Sequence, residues 1–114
     1  MSTSPITTHV LDTAIGRPAA GVTITLERLE GDAAIELARG VTDDDGRIGT
    51  LLAPGSLQAG TYRLTFFVGE YLQASGRSGF YPHIPVVFTI TATDEHYHVP
   101  LLLNPFGYST YRGS

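Results

Sequence analysis

His96-Tyr97-His98-Val99-Pro100-Leu101-Leu102-Leu103 is an apolar run in which two histidines sit at alternate positions. Successive side chains of a β-strand leave on opposite faces. The run therefore predicts a strand with Tyr97, Val99, Leu101 and Leu103 toward the core, and His96, His98, Pro100 and Leu102 on the other side. Pro100 has no amide hydrogen for a ladder, which predicts an edge or a bulge there. Asn104-Pro105 turns the chain. Gly107–Tyr111 reads as a last short strand, and the polar Tyr111-Arg112-Gly113-Ser114 ends it. Chain ends commonly fray. This one gathers a phenol, a guanidinium, a hydroxyl and a carboxylate directly after strand sequence, so it is expected to be tied down and used.

The same alternation recurs upstream. Ile6–Asp12 is rich in β-branched residues, with Ile6, Thr8 and Val10 on one face and Thr7, His9 and Leu11 on the other. Gly16–Gly21 is loop. Val22–Leu29 alternates with Val22, Ile24 and Leu26 inward, and Ala34–Val41 pairs back on it as a hairpin. Asp43-Asp44-Asp45-Gly46 has turn chemistry, and Arg47 follows it, opening a short strand or loop to Leu52. Gly60–Val68 and Pro85–Ala92 are strands, and Gly69–Gly76 holds one short helix with Gly76 as its stop. About eight short strands with turn signals between them predict an all-β, two-sheet sandwich with one short helix, in a single domain spanning 1–114.

With 114 residues, 42% hydrophobic and 16% charged, the chain can bury a core and is not of disordered composition. Net charge is -4, every basic residue is arginine, and no basic stripe marks a nucleic-acid surface. No apolar run approaches the roughly 20 residues of a membrane helix, and Met1–Pro5 does not read as a leader. The expectation is a cytoplasmic protein with neither a nucleic-acid nor a membrane partner; the alternative is the periplasm, if a signal peptide has been removed. Cysteine is absent, which excludes disulfides and thiol nucleophiles.

His9 and His98 each lie on the less apolar face of their strand. If those strands are neighbours, the imidazoles meet on the outer face of one sheet, and Arg47, just past its turn, reaches the same rim. Such a set offers a general base near neutral pH and a fixed cation to polarise a carbonyl. Each histidine alone reads more simply as a surface or satisfied strand residue. His96-x-His98 raises zinc with His9 as a third nitrogen, but no carboxylate or cysteine ligand accompanies it; no metal is expected. The aspartate run places Pro54 where a calcium loop needs an acidic residue. Gly16–Gly21 lacks the Lys-Ser/Thr end of a phosphate loop. Ser109 and Ser114 lack a nucleophile-elbow context.

Thr8-His9-Val10-Leu11-Asp12, Gly16-Arg17-Pro18-Ala19, Asp45-Gly46-Arg47, Tyr81-Pro82-His83-Ile84-Pro85, His96-Tyr97-His98-Val99-Pro100-Leu101-Leu102 and Pro105–Ser114 together resemble the transthyretin-related 5-hydroxyisourate hydrolases. The terminal Tyr-Arg-Gly-Ser is the most specific piece, because it separates the hydrolases from the hormone-carrying transthyretins. The resemblance implies a transthyretin-like (prealbumin-like) sandwich of about eight strands, assembled as a homotetramer, a dimer of dimers, with sites in a channel between dimers. It implies urate (purine) degradation: hydrolysis of 5-hydroxyisourate to 2-oxo-4-hydroxy-4-carboxy-5-ureidoimidazoline, with no cofactor. By motif match, His9, Arg47, His98 and Ser114 carry over as catalytic residues, and His9, Arg47, Tyr111 and Arg112 as substrate-binding ones. One histidine would be the general base, His98 being slightly preferred, and Arg47 the electrophile. The terminal tetrad is then expected to be ordered and packed at a subunit interface. The alternative is a transthyretin-like module that binds a small molecule without reaction; a structural or adhesion sandwich is a third class.

Overall fold

The computed structural model describes residues 4–113. Among them are nine strands and one helix: β1 (Ile6–Asp12), β2 (Arg17–Pro18), β3 (Thr23–Glu30), β4 (Ala33–Val41), β5 (Arg47–Ile48), β6 (Gly60–Phe66), α1 (Val68–Ala74), β7 (Ile84–Ile90), β8 (Tyr97–Asn104) and β9 (Gly107–Thr110). One sheet runs β2-β1-β8-β9, with β5 also pairing β1; the other runs β4-β3-β6-β7. The two-sheet sandwich with one short helix is as expected. β2 is an addition within what reads as loop, a two-residue pairing of Arg17 and Pro18 with Asp12 and Leu11.

The alternation in the sequence holds. Ile6, Thr8 and Val10 point inward and are buried, as are Tyr97, Val99, Leu101 and Leu103. All of these but Thr8 pack with Ile24, Leu26, Leu64 and Phe66 of the opposite sheet in one hydrophobic core. Helix α1 stops where predicted. Gly76 adopts φ 76°, and the amides of Gly76 and Arg77 bond back to the carbonyls of Gln73 and Leu72, a left-handed cap that suits glycine. No helix among the described residues is long and apolar enough to cross a membrane.

Pro100 departs from expectation. It lies in β8, an interior strand flanked by β1 and β9, and β1 runs beside it in unbroken parallel register with His9 opposite Pro100. The missing amide acts on the β9 side instead. There the ladder stops after Leu101–Thr110 and resumes as an isolated bridge between His98 and Gly113. Proline thus removes one rung without a bulge or an edge, and the Thr110 hydroxyl donates to the Pro100 carbonyl at 2.8 Å in the gap.

Candidate functional site

β1 and β8 are neighbours and run parallel, with Thr7 opposite His98 and His9 opposite Pro100. On the other side of β1, β5 pairs antiparallel and sets Arg47 directly opposite His9. His9, Arg47 and His98 therefore come together on the outer face of one sheet. The turn before β5 makes this register possible. Gly46 takes φ 75°, its carbonyl accepts from the Val10 amide at 2.7 Å, and a Cβ there would lie 2.4 Å from the Val10 oxygen. Only glycine allows the turn to press this closely on β1. Asp43 Oδ1 holds the far side by accepting from the Asp45 and Arg47 amides.

The electrostatics favour neutral imidazoles. Burial first, and the Arg47 charge second, hold His9 below the ordinary imidazole value; the Asp45 main chain and the carboxylates of Asp45 and Asp43 oppose the shift without cancelling it. His98 is lowered too, by burial, then by Arg47, His9 and His96. Arg28, Arg39, Arg63, Arg77 and Arg112 each sit against a carboxylate within ion-pair distance. Among the described residues Arg47 has no such partner, which leaves its guanidinium available to an anion or a carbonyl oxygen.

One residue of the site, Thr7, escapes a reading from sequence, and a second, Gly113, is read there only as part of the terminal tetrad. The Thr7 hydroxyl lies 2.9 Å from His98 Nδ1 and 2.9 Å from His96 Nε2, between the two rings. The outward position of Thr7 on β1 was its only signal. Gly113 bridges His98, and a Cβ on it would come 2.6 Å from His98 Cδ2. The segment through Gly113 is thus bonded to β8 within the chain; the expected packing of the tetrad at a subunit interface concerns contacts between chains, and Ser114 lies outside the described residues.

Tyr111 and Arg112 are not drawn into the His9–Arg47–His98 group. Both line a cleft at the edge of the sandwich with Val87, Phe88 and Tyr97. Arg112 lies over the Tyr97 ring at 4.3 Å and donates to Glu95 at 2.9 Å and to the His96 carbonyl at 3.3 Å. Its position pins the chain end to the start of β8. Among the described residues no three His, Cys, Asp or Glu side chains converge as a metal site would require.

A model of the HIUase/Transthyretin family matches residues 6–113. A 5-hydroxyisourate hydrolase of Mus musculus is 50% identical over 113 residues, covering 97% of this chain and 96% of the mouse protein. A solved 5-hydroxyisourate hydrolase of Klebsiella pneumoniae superposes with a TM-score of 0.85 at 43% identity, covering 100% of each chain. Sea bream transthyretin in complex with thyroxine superposes at 0.89 with 32% identity, covering 96% of this chain and 95% of that one. The family match starts at the first residue of β1 and ends at the residue that bridges His98, so it takes in every element that builds the cluster, and the chain belongs to the HIUase/Transthyretin family.

Proposed function

We propose that the chain, as one domain, hydrolyses 5-hydroxyisourate to 2-oxo-4-hydroxy-4-carboxy-5-ureidoimidazoline. The observation that carries this reading is the β5–β1–β8 register, which seats a guanidinium that has no ion-pair partner among the described residues beside two imidazoles of lowered basicity. Water attacks the ring carbonyl of an amide bond. His98 takes the water proton, the new C–O bond forms, and the carbonyl oxygen gathers negative charge that Arg47 stabilises. The C–N bond then breaks, the ring nitrogen receives the proton from His98, and the released acid ionises to a carboxylate. His9, directly opposite Arg47, orients the substrate and the cation. Ser114 is assigned a catalytic role on the family motif alone; Arg112 holds the terminal segment in position, and Tyr111 forms part of the wall.

On one subunit the cluster lies on an open sheet face. A channel formed by two such faces would exclude water and strengthen these electrostatic terms. We infer a homotetramer, a dimer of dimers, with the exposed side chains of Val87, Phe106, Tyr108 and Tyr111 among those available for burial. Light scattering on a sizing column checks the mass.

Freshly generated 5-hydroxyisourate, followed in the ultraviolet, is expected to decay much faster with the protein than without it, at catalytic protein concentrations. Saturable binding of substrate with an unchanged decay rate would instead establish the reading as a non-catalytic binding module. Gly113→Ala tests the terminal bridge. The added methyl must displace the His98 ring or the chain end, and kcat is expected to fall on the order of tenfold while the melting temperature stays within a few degrees.

A further inference from the structure

We propose that Thr7 is a positioning residue that fixes the tautomer of His98 and links it to His96, giving the site a proton path from the catalytic imidazole to solvent. The inference rests on the hydrolase reading and deepens it. Its basis is one hydroxyl lying 2.9 Å from both His98 Nδ1 and His96 Nε2. A hydroxyl carries one hydrogen, so it donates to one imidazole nitrogen and accepts from the other. When His98 Nδ1–H donates to Thr7 and Thr7 donates to His96 Nε2, His98 Nε2 is left with a free lone pair. That is the nitrogen that must face water for His98 to act as base.

The same chain disposes of charge. Proton uptake at His98 Nε2 makes an imidazolium among Arg47, His9 and His96, where burial and those neighbours disfavour it. His98 Nδ1–H then passes its proton to Thr7 Oγ1, and the Thr7 proton passes to His96 Nε2. No proton is gained or lost overall. The positive charge moves to His96, which is exposed at the mouth of β8, and His98 becomes neutral with a proton on Nε2 ready for the leaving ring nitrogen. Reversal of the chain restores the resting state. The outlet is anchored on both sides: the Tyr97 amide donates to the Pro5 carbonyl, and Arg112 donates to the His96 carbonyl.

The test combines tautomer and turnover. In 15N-labelled wild-type protein at neutral pH, His98 is expected as the Nδ1–H tautomer. Thr7→Val keeps the shape, removes the hydroxyl, and is expected to lose that preference and to lower kcat on the order of tenfold to a hundredfold, with KM within about twofold. Thr7→Ser restores both. His96→Gln keeps an acceptor for Thr7 but cannot take a proton; it is expected to retain the tautomer, lower kcat, and recover when imidazole buffer is added. Wild-type His98 found as Nε2–H, or Thr7→Val with unchanged kcat and tautomer, overturns the proposal. Lack of rescue of His96→Gln by imidazole overturns its proton path. The wild-type tautomer is read without substrate, so failure here stays distinct from failure of the wild-type protein to hydrolyse 5-hydroxyisourate.

Discussion

Arg47→Ala is expected to lower kcat/KM for 5-hydroxyisourate by about 10²–10³-fold, the usual cost of removing one preorganised oxyanion donor. The fold should survive. The Arg47 side chain is exposed, and its structural bonds are main-chain ones: the ladder to His9 and the amide donated to Asp43. A second effect separates loss of an electrophile from a general loosening of the site. After burial, the Arg47 charge is the next cause that lowers both His9 and His98. Its removal makes each imidazole easier to protonate, so the acid limb of the pH–rate profile should move to higher pH. Arg47→Lys keeps the charge and loses the planar fork; its acid limb should stay near that of the wild type while part of the rate is lost. His98→Asn removes the base itself and should cost at least as much as Arg47→Ala. Wild-type turnover in both His98→Asn and Arg47→Ala would refute the assignment.

The pieces of this site that could be read from the sequence are those set by periodicity and turns. His9 and His98 fall on outward positions of strands whose inward partners are plainly apolar, and Asp45-Gly46 announces the turn that delivers Arg47. What brings them together is a parallel pairing between residues about ninety positions apart, which no local pattern specifies. Thr7 was invisible for the same reason: its significance lies in what faces it across the strand pair, not in its own neighbours. Pro100 misled because proline's usual exclusion from sheet interiors concerns the side its amide would face. Here that side is the β9 ladder, which loses a rung and continues at Gly113. Arg112 is tied to the substrate by motif alone; its guanidinium lies over Tyr97 and beside Glu95, contacts that no local sequence pattern announces.

A second large effect is expected far from the chemistry, at the other end of β1. Asp12 points inward with a fully buried carboxylate; Arg77 Nη2 donates to it at 2.6 Å, the Tyr71 hydroxyl at 2.8 Å and the Ala14 amide at 3.2 Å. This cluster ties α1 and the segment after it to the sheet that carries the site. Burial alone would raise the Asp12 pKa, but the hydrogen bonds from Arg77 and Tyr71 outweigh it, and the net shift is downward. Removing one partner of such a pair strands the other, so Asp12→Ala should cost about 3–5 kcal/mol at pH 7 in urea unfolding. That is a large share of the roughly 5–15 kcal/mol that holds a domain of this kind together. The pH dependence has a definite sign. A carboxylate whose folded pKa is depressed contributes its stability above the unfolded value, near 3.9, and loses it as pH falls through the folded value. The gap in stability between wild type and Asp12→Asn should therefore be constant from neutral pH to about pH 5 and shrink below about pH 4. A gap that stays constant down to pH 2 would mean that the ionised carboxylate contributes nothing, and that Asp12 serves only as a hydrogen-bond acceptor of the right shape.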